Sequence, residues 1–428
     1  MHTTNRILIA GGGASGVITA IALIRRGVDP QAIDIAEPCD LLGEGLAYQT
    51  RDPWHRLNVP TSRMSAMEEL PDDFAEWSNA EGYSFMERRS YSTYLRARLG
   101  DGVTHIQATV IGLHPLEDGN YQATFSHGTE KVYNTIVLAM GHGKARIPDF
   151  LAGHSCSERV VLDVWDGNEL PESRALVCFG TGLSFIDIAM THLTRSPENT
   201  VIAISGSGNL PERHQPTPVK PLTPKLEDVA SLVLLRKYLA DAGENWREAI
   251  DGLRPITVEM WRSFSEAERE DFLRTDGSAW SRRRHRIAPD IAARIDQEIS
   301  SGRVRVIKGR VNSLIESANQ VEINLESGEQ VTADLFALCI GRDYELSDPL
   351  SLSMVESGFT RRGPLGMGLA VDVLSGKLLN VEGAMYPDIF AIGPLRTGEA
   401  FESTAIPEIR KQATTIAKQI AAGVTIRN

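Results

Sequence analysis

Gly11, Gly13 and Gly16 follow a short apolar run at the spacing G-x-G-x-x-G, and Glu37 lies 21 positions beyond the last of them (37 − 16). A strand, a glycine turn, a helix and a second strand ending in an acid suit the ADP half of a dinucleotide. Gly11 permits the tight turn, Gly13 lets the backbone approach a pyrophosphate, and Gly16 lets helix and strand pack closely. With Ala14 and Ser15 between them, these glycines open a helix whose free N–H groups and positive dipole end face the phosphates. Glu37 can accept hydrogen bonds from a ribose diol. A secretory leader would place its positive charge ahead of the apolar run, whereas Arg25 and Arg26 follow it.

A second turn of this kind begins after the apolar residues 175–179. Gly180 and Gly182 lead into Leu183, Ser184 and a helical stretch to about residue 193, and residues 201–205 form the next strand. Phe185 replaces the third glycine of the pattern. This unit is predicted to hold the nicotinamide dinucleotide. No acid follows its second strand, and the small hydroxyls there, with Arg213 as a basic partner, favour NADPH over NADH. Two further apolar strands break at Gly141 and Gly341, as expected where the backbone crosses close to a cofactor. Each follows a predicted β-meander, over 106–125 and 304–334.

These residues need a scaffold, and the chain supplies one of ordinary composition. Its 428 residues are 42% hydrophobic and 23% charged, as in a globular protein of two to three domains. The net charge of −12 argues against nucleic-acid binding. No stretch of about 20 apolar residues suggests a membrane span. Cys39, Cys156, Cys178 and Cys339 form no C-x-x-C and no metal pattern, so no metal site is expected. Cys178 and Cys339 sit in apolar strand runs and are predicted to be buried. Such cysteine usage fits a reducing cytoplasm, and it removes the redox disulfide of disulfide reductases. Residues 226–300 are helical and rich in Arg and Trp, after a proline-rich linker over 211–224.

The predicted fold class is α/β, with two Rossmann-like dinucleotide-binding domains and a helical insertion. The FAD domain is expected to be discontinuous, 1–165 and 305–428. The NAD(P)H domain is expected at 166–304, with the insertion at about 226–300.

Several segments together resemble the YdhS-like FAD/NAD(P)-binding oxidoreductases, two-dinucleotide flavoproteins distantly related to flavin N-hydroxylating and Baeyer–Villiger-type monooxygenases. They are residues 11–16, 45–48, 55–60 with Met64 and Ser65, 88–95, 180–187, 284–286, 391–398 and 402–410. The chain departs from the pattern with Glu87 in place of Pro, Ser92 in place of Gly, and no basic residue near Gly206.

The resemblance implies FAD and NADPH as cofactors. It runs the loop of His55 and Asn58 under the flavin ring, with Asn58 bonding the flavin or a dinucleotide amide, and makes these two residues the catalytic candidates. Arg88 would reach the FAD pyrophosphate or a substrate carboxylate. Arg284, in the run 282–286, would bind NADPH phosphates or an anionic substrate. Gly393 and Pro394 resemble the terminal flavin motif, although Pro394 leaves only backbone contacts.

The implied reaction is oxygenation of a heteroatom of a small molecule by molecular oxygen through a flavin C4a-hydroperoxide, with N-hydroxylation of an amine or amino acid as the sharpest form. An FAD-dependent reductase, an amine oxidase and a non-catalytic flavin sensor are the competing expectations.

Overall fold

The computed structural model describes residues 6–342 and 344–427, with side chains described through residue 423. It is an α/β structure built on two mainly parallel sheets.

The first sheet runs in the order Lys377–Leu379, Met385–Ala391, Thr135–Leu138, Ile7–Ala10, Ile33–Ala36, Thr104–Ile106. Only the Lys377–Leu379 edge is antiparallel. Ile7–Ala10 and Thr135–Leu138 are buried throughout, as their unbroken apolar sequences require of a strand covered on both faces. Asp34, in Ile33–Ala36, is fully buried, paired with Arg6 at 3.0 Å and accepting from the Tyr133 hydroxyl at 2.8 Å. Helix Ala14–Ile24 packs against the C-terminal helix Ile406–Arg427 on one face of this sheet.

The second sheet is wholly parallel, in the order Val304–Lys308, Thr200–Ser205, Ala175–Phe179, Leu335–Leu338, Val160–Val161. Each sheet carries its own three-stranded meander. One is Val110–Pro115, Tyr121–Phe125, Glu130–Tyr133; the other is Val311–Glu316, Val321–Leu325, Gln330–Ala333. In both units the meander feeds the strand that ends at the crossing glycine, Gly141 or Gly341.

This topology moves the expected boundaries. Val304–Lys308 and Leu335–Leu338 pair within the second sheet, with Leu335 opposite Leu176. Residues 305–338 therefore lie with the second unit, and the chain rejoins the first sheet at Lys377. Val160–Val161 also pairs into the second sheet, ahead of the expected start at 166. The helical insertion is shorter than 226–300. Helix Pro289–Ser300, opened by Pro289 at its first turn, buries Ile291 and Ile295 in the core of the second unit as the crossover into Val304–Lys308.

The remaining insertion helices share an apolar cluster of their own around Trp261, Phe264, Phe272 and Trp280. Met367 and Phe401 complete that cluster from the first unit. Trp261 stacks on Phe401 at 4.6 Å and donates its indole N–H to the Gly398 carbonyl at 3.0 Å.

Candidate functional site

Both glycine turns adopt the backbone that only glycine tolerates easily. Gly11 has φ +107°, and a Cβ there would stand 2.3 Å from the Ala139 carbonyl oxygen. Gly180 has φ +110°, and its Cβ would stand 2.5 Å from the Cys339 carbonyl oxygen. Each turn is therefore pressed against the strand that runs on to the crossing glycine. Gly16 is closer still: its Cβ would meet the Gly11 carbonyl oxygen at 2.0 Å.

Helices Ala14–Ile24 and Leu183–Arg195 both begin after a glycine, and neither first turn has a side-chain cap. Their first N–H groups have no partner within the helix. Ala14, Ser15, Leu183 and Ser184 all line one groove of about 560 Å³ between the two units. Gly11, Gly13, Glu37, Gly141, Gly341, Pro394 and Arg88 line the same groove. Two uncapped helix ends facing one cleft, with glycine where a Cβ would fill the cradle, fit a pair of dinucleotides.

The Glu37 carboxylate is held at the rim by two backbone donors, Gly12 N–H at 2.9 Å and Cys39 N–H at 3.2 Å. The floor is strapped where the units cross. Arg342 donates from Nη2 to both carboxylate oxygens of Asp163, at 2.7 and 2.8 Å, and from Nη1 to the Gly143 carbonyl. Gly393, at φ +72°, lies against the Ser15 side chain and donates its N–H to Gln412 at 2.9 Å. Gln412 in turn donates to the Ser403 carbonyl, and the Ser403 hydroxyl donates to the Gly393 carbonyl. This ring fixes the Gly393–Pro394 turn, and neither Gln412 nor Ser403 has a sequence signature that announces the role.

A second cavity, also about 560 Å³, shares Ala47, Tyr48, Arg88, Thr404 and Ile406 with the groove. Asn58 lines it, with no hydrogen bond to its side-chain amide among the described residues, while its carbonyl accepts from His214 Nε2 at 3.0 Å. Burial holds His214 down at about 4, so the imidazole is neutral at ordinary pH. Arg63, Arg254, Arg284 and Arg286 reach the same cavity from three segments.

Arg284 pairs with Glu402 at 3.4 Å, and Glu402 also accepts from the Trp280 indole at 2.8 Å. Burial opposes ionisation of Glu402, but His285, Arg284 and Trp280 together outweigh it and hold the carboxyl well below the usual range. Glu402 has φ +63°, an unusual backbone for a non-glycine residue. It ties the insertion to the start of the C-terminal helix.

Arg88 bridges the two units. It donates to the Arg56 carbonyl at 3.1 Å, pairs with Asp187 of the second unit at 2.7 Å and lies over the Trp165 ring. Burial pushes the Asp187 carboxyl up, against the pull of Arg88.

Some expected residues lie elsewhere. His55 is buried at the junction of the units, bonded to Thr50 at 2.7 Å and to Thr191 at 2.9 Å, and lines neither the groove nor the second cavity. Its place is that of a hydrogen-bonding strut. Gly180 and Gly182 form the turn behind the groove wall, and Gly16 is internal packing. Arg213 is committed to Asp296 through both terminal nitrogens, at 2.7 and 3.0 Å, so it gives no free cation for a 2′-phosphate. Cys178 and Cys339 are buried, and all four cysteines are free thiols.

Residues 8–143 match a family model described as FAD-NAD(P)-binding. No curated protein matches the chain by sequence. Among solved structures, the ornithine N-hydroxylase of Kutzneria sp. 744 is similar at TM-score 0.68 and 15% identity, covering 98% of this chain and 99% of that one. The cadaverine monooxygenase of Erwinia amylovora reaches 0.65 at 11% identity, covering 97% and 94%. The bacillithiol disulfide reductase of Bacillus cereus reaches 0.58 at 14% identity, covering 98% and 99%. The shared feature is the two-dinucleotide flavoprotein fold.

Proposed function

We propose that the chain is an FAD-dependent, NAD(P)H-using monooxygenase that hydroxylates the nitrogen of a small amine. The observation that carries this reading is the pair of uncapped helix ends opening on one groove, with a separate cavity joined to it at Tyr48, Arg88, Thr404 and Ile406. A dinucleotide fits each helix end, and a small molecule fits the annex. The solved ornithine and cadaverine enzymes have the same fold, and the motif-level resemblance to the YdhS-like group agrees.

The balanced reaction is R–NH2 + NAD(P)H + H+ + O2 → R–NHOH + NAD(P)+ + H2O. Bound FAD supplies the two-electron chemistry that connects the nicotinamide to dioxygen. The chain's own residues bind and orient. Gly11, Gly13 and the N–H groups of Ala14 and Ser15 receive one pyrophosphate, and Glu37 receives a ribose diol. Leu183 and Ser184, at the helix end that Gly182 opens, receive the second. Asn58 offers a free amide in the annex. The N-terminal turn of Ile406–Arg427 brings a positive dipole end to the junction of groove and annex. NADPH is preferred over NADH through the absence of an acid at Gly206, now without help from Arg213.

A reductase with another acceptor is the second reading, favoured by the likeness to the bacillithiol disulfide reductase. The deciding experiment is a visible spectrum of the purified protein before and after anaerobic NADPH, then on admitting air with a panel of amines. Flavin bleaching by NADPH, followed by oxygen uptake that matches a product one oxygen atom heavier, is expected. A flavin that NADPH fails to reduce sinks the reading. Reduction without any oxygenated product leaves the reductase.

A further inference from the structure

We infer that the annex cavity selects a small amine of net negative charge, an acidic amino acid, rather than a diamine. This deepens the proposed function and rests on its reading of the annex as the substrate site. The wall carries five arginines, Arg63, Arg88, Arg254, Arg284 and Arg286, among apolar residues. Arg63 comes from the turn Thr61–Arg63 and has no side-chain hydrogen bond or ion pair among the described residues. Arg254 comes from the insertion, and its Nη1 is buried without a hydrogen-bond partner. Arg284 stands at the end of helix Gly277–Arg284.

The compensating carboxylates stand behind this wall. Glu408 pairs with Arg254 at 3.3 Å, and Glu402 pairs with Arg284, yet neither lines the cavity. Among the described residues Asp251 is the one carboxylate that does, and both its oxygens are taken by Arg286 at 3.0 Å. His214 adds no charge, being neutral at ordinary pH. Arg254 is pulled down to about 10, first by burial and then by the neighbouring Arg284, against the pull of Glu408.

Guanidinium donors left open in a partly desolvated cavity recognise carboxylates, which accept two parallel N–H bonds. A zwitterion with one carboxylate engages one guanidinium. A second carboxylate gives the other open guanidinium a partner and leaves the amine free. A diamine presents only ammonium groups to a cationic wall and is repelled.

The test measures binding to the oxidised FAD-loaded protein, by calorimetry and by perturbation of the flavin spectrum. The probes are L-aspartate and L-glutamate against L-ornithine and cadaverine. The acids are expected to bind roughly tenfold or more tightly than either amine, with an affinity that weakens as salt is added. Arg63→Gln is expected to weaken acid binding by about tenfold, while Arg63→Lys, which keeps the charge, retains more of it. Tighter binding of ornithine or cadaverine overturns the inference. So does an Arg63→Gln variant that raises the KM for NADPH and leaves acid binding intact, since the cluster would then serve the dinucleotide phosphates. Acid binding to a protein whose flavin NADPH cannot reduce would uphold the anion site and sink the monooxygenase reading, so the two failures are distinguishable.

Discussion

The two dinucleotide units use the same clamp and then diverge. In each, the first glycine is wedged under the carbonyl that precedes the crossing glycine, Ala139 for Gly11 and Cys339 for Gly180. Each also donates its N–H to the last turn of the neighbouring strand, Gly11 to Ala36 at 2.9 Å and Gly180 to Ile204 at 2.8 Å. Beyond that point the first unit is tight. Gly16 allows the helix onto the turn, and Glu37 is held by the Gly12 N–H. The second unit puts fully buried Phe185 where Gly16 stands and joins the Thr181 and Ser205 hydroxyls at 3.0 Å where the first has an acid. A dinucleotide that never leaves suits the tight unit, and one that exchanges each turnover suits the open one.

That contrast can be broken most severely at the clamps. Gly11→Val is expected to yield protein without flavin. Gly180→Val is expected to keep flavin and lose anaerobic reduction by NADPH. Flavin content per chain and the bleaching rate read the two outcomes, and the reverse pattern would mean the cofactor assignments are exchanged. Gly182→Trp is gentler on the chain, because nothing lies within 4 Å of a Cβ there. It is expected to abolish NADPH oxidation with FAD still bound.

The joint between the units comes next. Arg88→Ala leaves Asp187 buried without its cation, an expected loss of about 3 kcal/mol in denaturant unfolding. Asp187→Asn in the same chain should recover part of that loss. Recovery of nothing would mean that the ion pair does not hold the units together.

The smallest effect sharpens the joint further. His214 is held at about 4 against an ordinary value of 6.5, so folding favours its neutral form. Its contribution is complete above pH 6.5 and declines as pH falls toward 4. At pH 5 the loss is about 2 kcal/mol relative to pH 7. His214→Asn should remove that part of the pH dependence, seen by comparing denaturation midpoints at the two pH values.

The clamps were legible in the sequence because they are local steric facts: a glycine turn between an apolar run and a helix has few solutions. Glu37 was legible for the same reason. The domain boundary was not. Residues 304–334 read as a meander whichever sheet they join, and the choice is made by distant pairing, Leu335 beside Leu176. Helix Pro289–Ser300 likewise shows the same amphipathic pattern as the insertion helices, and only its packing on the second core separates it from them. Of the basic run 282–286, Arg284, His285 and Arg286 line the second cavity. Arg63 and Arg254 meet there from 191 positions apart (254 − 63), and no local spacing signals such a meeting. His55 misled for the opposite reason: it stands in a suggestive loop but is spent on Thr50 and Thr191.

The insertion's apolar cluster borrows Phe401 and Met367 from outside itself. A recombinant fragment cut to the second unit, from about residue 158 to 340, would therefore carry a helical cap with one wall missing. Trp261 and Phe272 would face solvent in place of Phe401, and such a fragment should bind hydrophobic dyes and self-associate. The two halves of this protein cannot be separated cleanly at their sheets, and any effort to transplant the second unit into another scaffold must carry residues near 367 and 401 along with it.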